Sequence, residues 1–382
     1  MAGPIAGMML ADMGADVVKV EKPQGDDTRR MVPPRIASES AAFLMMNRNK
    51  RGIAMDLKKA GARAAMLKIL GQADVVIENY RFGSMEKFGL GYETLKAINP
   101  GLIYCEVSGF GRTGPYKDRG GFDLIAQGMS GLMSITGEGD GRPPVKIGAP
   151  VTDITAGILA AMGVSAAYAH RLKTGEGQKV DTSLFEAGIT HTYWQSAIAL
   201  ATGQSPGALG SAHPLNAPYQ AFPTQDGWIN VGAANQINWE RLADILEQPG
   251  LKTDQRFLTN ADRMEHLVEL EVLLSDIFKS QTSAYWLTKL EQGGVPAGPI
   301  LNVGEMHQDP QTVARGMVVE TEHPVAGKTA AIGLPVKFSE TPGGVKTPAP
   351  LLGQHTVTVL REFGFNSIEI DQMLSNGEAI QN

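Results

Sequence analysis

The feature that most constrains this chain is an alternation, through its first 200 residues, of short continuous apolar runs with segments of helical spacing. VVKVE (17–21), ADVVIEN (73–79) and GLIYCEVSGFG (101–111) read as strands, with the Gly14-Ala15-Asp16 turn leading into the first. Residues 4–14, 59–71 and 84–98 read as helices; in the second, Ala65, Met66, Ile69 and Leu70 recur on one face and Gly71 ends the run. Unbroken apolar strands are covered on both faces, the condition met in a parallel sheet flanked by helices. A helix over 154–172, then KTGEGQKVDTSLFEAG read as turn, strand and helix, extends the pattern into a doubly wound α/β layer.

At 382 residues the chain exceeds one ordinary domain. The pattern breaks at 203–227 (GQSPGALGSAHPLNAPYQAFPTQDG), a Pro/Gly/Ala-rich stretch read as a crossing into a second domain. WINVGAA (228–234) then reads as a strand, and 236–247, 261–279 and 283–293 as helices. GMVVETEHPVAGKTAAIGLPVKFS (316–339) reads as a hairpin, and 354–364 with 366–376 as a closing helix pair. The expected organisation is a large domain over 1–202, a linker over 203–227, a smaller α+β domain over 228–310 and a return to the large domain over 311–382.

Composition removes several function classes. Hydrophobic residues make up 43% and charged residues 19%, enough apolar material for a real core. The net charge of −6 argues against a nucleic-acid partner, which calls for a basic footprint. No apolar run reaches 18 residues, so no membrane span is expected, and the start lacks the basic segment of a signal peptide. A single cysteine, Cys105, excludes an internal disulfide framework and fits a reducing compartment, the cytoplasm. The seven histidines show no metal-ligand spacing, so no metal site is expected.

GFGRTG (109–114) matches a dinucleotide fingerprint in letters only. Pro115 and YKDRGG follow it where a helix should open, so it reads as a loop that can approach a ligand closely. RNKR (48–51), LKK (57–59), Lys19, Lys22, Arg29 and Arg30 cluster near the early strands. Such charges are ordinarily a solvated surface, yet they are also what a phosphate-bearing ligand would use. GAPVTDITAGILAAMG (148–163) places Asp153 at a helix start with few polar neighbours. Asp is a preferred N-cap. The same carboxylate, on a buried helix and kept ionised by the helix dipole, is competent as a nucleophile.

These stretches, together with AGPIAGMMLADMGADVVKVEKP, NRNKRGIAMDLK, NYRFGSMEKFGLGYE, GGFDLIAQGMSGLMSITG, GVPAGPILNVGEM and APLLGQHT, carry a resemblance to the class III CoA-transferases, the CaiB/BaiF group. It runs from Ala2 to about residue 375. MNRNK, TGPYKDRGGFD and AHPLNAPYQAF resemble in particular the succinyl-CoA-dependent dicarboxylate members of the succinate–hydroxymethylglutarate type.

The resemblance implies a CoA-transferase with no tightly bound cofactor, using acyl-CoA and a carboxylic acid, on a Rossmann-like large domain with a smaller α+β domain, in an interlocked homodimer. It implies that Asp153 is the nucleophile, forming first a mixed anhydride and then an aspartyl-CoA thioester. It places CoA contacts at Ala2, Lys22, Met55, Asp56, Leu57, Lys58, Asn79, Tyr80, Arg81, Lys87, Gly120, Gly121, Phe122 and Asp123. Donors for anionic intermediates are expected in VGAAN (231–235), at Gly232, and Arg48 or His213 is expected to take a second substrate carboxylate. Phe122 stands where the family's 2-methylacyl-CoA racemases, the alternative reading, carry a proton-transferring His. Family members also have a strand of the form VRVLDL ahead of the AGP segment; Met1 stands at its edge, so one sheet position is expected to be empty.

Overall fold

A computed structural model describes residues 1–139 and 141–382. The chain runs α1 (Ala2–Asp12), β1 (Val17–Glu21), β2 (Arg35–Ile36), β3 (Glu39–Ser40), α2 (Ala41–Asn47), β4 (Lys50–Met55), α3 (Ala60–Leu70), β5 (Val75–Glu78), α4 (Ser84–Lys87) and α5 (Tyr92–Ile98). It continues with β6 (Ile103–Ser108), α6 (Asp123–Met129), α7 (Val151–Thr174), β7 (Lys179–Ser183), α8 (Leu184–Thr190), α9 (Tyr193–Thr202), β8 (Tyr219–Pro223), β9 (Trp228–Gly232) and α10 (Gln236–Ile245). The remainder is α11 (Asn260–Glu265), α12 (Leu267–Phe278), α13 (Ser283–Gln292), β10 (Ala297–Pro299), α14 (Val303–Gln308), α15 (Pro310–Ala314), β11 (Val318–His323), β12 (Gly327–Ile332), α16 (Thr356–Glu362), α17 (Ser367–Ser375) and β13 (Ala379–Ile380).

Two compact units result. The first combines Met1–Ser130, Gly148–His191 and His307–Asn382; the second combines Gly131–Ile147 and Thr192–Met306. In the first unit β5, β6 and β7 form a parallel sheet, while β1 and β4 run parallel with β13 antiparallel on the far edge of β4. The expected single layer is therefore two three-stranded sheets, with β1 and β5 each paired on one side only. Both faces of β6 are covered: Tyr104 joins a core with α3 and the C-terminal helices, and Ile103, Cys105 and Val107 join one with α1 and α7. That explains the unbroken apolar run of this strand. Burial pushes the Cys105 thiol up to about 12, which leaves it a small apolar side chain at neutral pH.

Several sequence expectations are corrected here. Strand β4 went unread because KRGIAM begins with two charges that mask its apolar half. The helix expected over 84–98 breaks into α4 and α5 around Gly89-Leu90-Gly91, and that over 261–279 breaks at His266. Strand β8 lies within the stretch read as a crossing, where it pairs with β9 and forms, with β10, the antiparallel sheet of the second unit. Phe222, Ile229 and Val231 of that sheet pack with Trp239, Leu242, Leu274, Phe278 and Trp286 of its helices.

Helix α7, 24 residues, is long and apolar enough by length and composition to cross a membrane, against the sequence expectation of no such segment. Its stripe of Ala156, Ala160, Val164 and Ala167 packs instead among α1, β6 and β7.

Candidate active site

Asp153 is not the cap of its own helix. Helix α7 starts at Val151, its N-cap is Pro150, and Asp153 is the third helical residue. Its Oδ1 instead accepts the backbone N–H of Ala2, the first residue of α1, at 3.2 Å, with the Met1 ammonium at 3.9 Å. The starts of two helices, both positive ends of backbone dipoles, thus meet at one carboxylate. The side chain is 18% exposed, so it is sheltered but reachable. Burial raises its pKa above the ordinary value, opposed by the Met1 charge and the Ala2 N–H and reinforced by the nearby Asp123 carboxylate.

One turn along α7, Gly157 makes this meeting sterically feasible. A Cβ there would lie 2.7 Å from Ile5 Cγ2 and 2.8 Å from the Ala2 carbonyl. Replacing Gly157 by alanine is expected to push the first turn of α1 off Asp153. A loss of about 1–3 kcal/mol should follow in denaturant unfolding, with at least about a tenfold fall in the catalysed rate. An alanine variant with unchanged stability and rate would contradict the contact's importance.

The start of α7 is held by α6. Asp123 Oδ1 accepts the Thr152 N–H at 2.9 Å and the Thr152 hydroxyl at 2.7 Å, while Oδ2 accepts Gln127 Nε2 at 2.7 Å. Phe122, the N-cap of α6, is 78% exposed. The chain reaches it through a backbone crossing in which Gly109 and Gly121 touch: a Cβ on Gly121 would stand 2.5 Å from Gly109 Cα. The first glycine of GFGRTG therefore serves chain packing.

Arg112, in the same loop, is buried among carboxylates. Its Nη2 donates to Glu78 Oε1 at 2.5 Å and to the Tyr80 carbonyl at 3.0 Å, and its Nε lies 3.3 Å from Glu106, which also pairs with Lys179. Glu78 Oε2 in turn accepts the Tyr80 N–H at 2.6 Å, and the Asn79 side chain donates to the Val107 carbonyl at 2.7 Å. Burial raises the Glu78 pKa, opposed by the Tyr80 N–H and Arg112. The network fixes the backbone after β5, and Gly3 packs on Asn79 there.

The structure places the remaining expected residues as follows. Ala2, Asn79, Asp123 and Asp153 are drawn together through α1 and α7. Lys22 follows β1, exposed and paired with Asp27 at 2.8 Å. Met55 is buried at the end of β4; Asp56 follows, accepting the Lys58 N–H, and then half-buried Leu57 and exposed Lys58. Tyr80, Arg81, Lys87 and Gly120 are exposed. Lys22, Met55–Lys58 and Asn79–Arg81 thus lie at carboxyl ends of parallel strands, the usual ligand edge of such sheets.

Arg48 does not fit its expected role. It is buried, with Nε and Nη2 on the Asp12 carboxylate (2.6 Å at the closest) and Nη1 on the Met45 carbonyl at 3.2 Å. Its neighbours in the basic run are also committed. Lys50 donates to the Pro4 and Met46 carbonyls and to Asn47, and Arg51 pairs with Asp16 and Glu362. Burial holds the Lys50 pKa well below the usual lysine value. These charges tie α1, α2, β4 and α16 together, a role invisible to a reading of charge clusters.

His213 and Gly232 belong to the second unit, while Asp153 belongs to the first. His213 Nδ1 accepts the Leu215 N–H at 3.0 Å, and its ring lies between Trp194 and Tyr219. Gly232 ends β9 and lines a cavity of about 410 Å³ with Ser211, Tyr219, Asn230 and Gly298. Among the described residues no group of three His, Cys, Asp or Glu side chains could hold a metal. Sequence reasoning missed Arg112, Gly157, Thr152 and Gln127; only Gly157, an isolated glycine inside a helical pattern, carried a local signal.

Residues 1–356 match the family model for CoA-transferase family III. The chain is 42% identical over 369 residues to a succinate–glutarate CoA-transferase of Agrobacterium fabrum, spanning 95% of this chain and 92% of that protein. It is 38% identical to the succinyl-CoA:glutarate CoA-transferase of Homo sapiens across 99% of this chain and 86% of that one. Identity to a succinyl-CoA:mesaconate CoA-transferase of Haloarcula hispanica is 39%, over 97% and 96% of the two chains. A solved CAIB/BAIF family protein from Brucella suis superposes with a TM-score of 0.84 at 39% identity, covering 95% of this chain and 96% of that one.

Proposed function

The chain belongs to CoA-transferase family III, and we propose that it moves CoA from succinyl-CoA to a second dicarboxylic acid by covalent catalysis on Asp153. That it is a CoA-transferase follows from its family and relatives; the mechanism and the acid pair are our reading. The observation that carries it is a single carboxylate, sheltered but reachable, at the starts of two helices.

In this reading the ionised Asp153 attacks the thioester carbonyl. The C–S bond breaks, CoA thiolate leaves, and the acyl group sits on Asp153 as a mixed anhydride. The thiolate then attacks the Asp153 carbonyl, releasing succinate and leaving an aspartyl-CoA thioester. The acceptor carboxylate attacks that same carbonyl and expels the thiolate. Attack of the thiolate on the acceptor's acyl carbon gives the new thioester and regenerates Asp153. Each exchange trades one activated acyl bond for another, so no external energy source enters. Phe122 offers no base for an α-proton, which sets the alternative isomerase reading aside.

The CoA moiety is assigned to the strand-end residues Lys22, Met55–Lys58 and Asn79–Arg81, with Lys87 and Gly120–Phe122. The acceptor's remote carboxylate is assigned to the second unit, at His213. The Gly232 N–H is given to the Pro296 carbonyl at 2.8 Å, so the expected donor role toward anionic intermediates falls away. Relatives named for glutarate and mesaconate, both five-carbon dicarboxylates, support an acceptor of that size. We also assign the protein to a homodimer, supported by exposed Ile158, Met162 and Leu172 on α7 and exposed Tyr193, Trp194 and Leu200 on α9; light scattering on the purified protein checks it.

The test is CoA exchange from succinyl-CoA across acetate, oxalate, glutarate and mesaconate, followed by product chromatography. Glutarate or mesaconate should exceed acetate by at least about tenfold in kcat/KM, the discrimination expected when a substrate carboxylate's polar contact is left unmade. Equal rates for acetate and the dicarboxylates would refute the dicarboxylate assignment.

A further inference from the structure

Asp153 occupies the third position of α7, where an acid ordinarily bonds back to the N-cap backbone N–H. The N-cap here is Pro150, which has neither that N–H nor a side-chain acceptor. The sequence Pro150-Val151-Thr152-Asp153 thus strips Asp153 of its local partner and leaves the Thr152 N–H without a local cap. Asp123, 29 residues away on α6, accepts that N–H and the Thr152 hydroxyl on one oxygen. Gln127, fully buried one turn further along α6, holds the other oxygen at 2.7 Å. Thr152 is also fully buried, so the peptide leading into Asp153 is anchored.

We propose that Asp123 is a positioning residue for the nucleophile: it caps α7 from outside, so that the backbone of Asp153 stays fixed while its carboxylate is free to leave the Ala2 N–H and attack. This rests on the reading of Asp153 as nucleophile. A carboxylate capping its own helix would lose that bond at the moment of reaction; here the cap is carried by a group that takes no part in the chemistry. Asp123 also sets a second negative charge near Asp153. The other groups facing Asp153 are the Met1 ammonium and the Ala2 N–H from α1, and His191 at the end of α8 bonds Thr155 on the same turn at 2.8 Å.

The test compares Asp123→Ala and Asp123→Asn in steady-state transfer, in pH profiles and in hydroxylamine trapping of the acylated enzyme. The alanine variant should lose about 30-fold or more in kcat, the scale of a misplaced catalytic group. Its KM for succinyl-CoA should stay within about threefold, the split expected when ground-state binding is untouched. The trapped adduct should still map to Asp153 but form more slowly. Asparagine, which keeps an acceptor for Thr152, should restore most of kcat and move the acid limb of the profile to lower pH, because a like charge is gone. Unchanged kcat in the alanine variant overturns the proposal, as does a loss confined to KM, which would make Asp123 a CoA contact. A fall in melting temperature with neither kcat nor the acid limb moved also overturns it. If Asp153→Ala itself still turns over, the failure lies in the nucleophile assignment instead.

Discussion

Asp153→Ala is expected to abolish CoA transfer, by at least about a thousandfold, since the neighbouring carboxylate, Asp123, has both oxygens committed to Thr152 and Gln127. The fold should survive, because α7 is capped by Asp123, and Asp153 adds the bond to the Ala2 N–H with the Met1 ammonium at 3.9 Å. The stability of Asp153→Asn is the more discriminating measurement. Burial raises the folded pKa of Asp153 above its unfolded value. For a carboxyl, that means the native state holds the proton more tightly than the unfolded chain, so the group's contribution to stability falls as pH rises through the interval above 3.8 and stays lower beyond it. Asparagine carries no such penalty. The variant should therefore be inactive yet at least as stable as the parent at pH 7, with the difference shrinking as pH falls below that interval. Calorimetry across pH, with product chromatography, checks both halves. Residual transfer near the parent rate would remove Asp153 as nucleophile, and a strongly destabilised asparagine variant would make it a structural residue.

Arg112→Met should produce the largest loss of stability. The guanidinium is 5% exposed and is shared by Glu78, Glu106 and the Tyr80 carbonyl, leaving Lys179 as the remaining cation of the cluster when it is removed. Breaking such a buried pair by deleting one partner costs about 3–5 kcal/mol. Lysine at 112 should recover only part of this, because an ammonium cannot reproduce the fork that reaches a carboxylate and a carbonyl together. The double variant Arg112→Met, Glu78→Gln should be less destabilised than the two single losses summed, since the stranded charge is then gone. The same change frees the backbone at Asn79–Arg81, so the KM for succinyl-CoA should rise alongside. Urea unfolding and initial-rate kinetics read both effects; a loss under about 1 kcal/mol would mean that water reaches the cluster.

Most elements could be read from residues alone. VVKVE became β1 to the residue, and the hairpin at β11–β12 and the α16–α17 pair fell inside their expected ranges. Hydrophobic spacing is a local property, and the core each element meets enforces it. The misses have the same logic reversed. β4 was hidden because Lys50 and Arg51 open it, and a charge in a strand gives no hint of a buried carbonyl cage or of Asp16 and Glu362 waiting elsewhere. Asp153 stood out as a candidate because an acid on an apolar helix is costly to hide; that it does not cap its helix could not be seen, since the donor it meets is 151 residues away.

The sequence by itself determined the order of strands and helices, the apolar faces they bury, and, through stretches spread over the whole chain, the family. The tertiary structure decided what each charged group does. Arg48 and Lys50, read as candidate anion contacts, became internal ties, and Asp123, read as a ligand contact, became the cap of the helix that carries Asp153. The physical reason is range. Periodicity acts over one or two turns of chain, whereas the worth of a charge depends on which partners lie within about 4 Å and how much water is left between them, and both are set when distant segments cross.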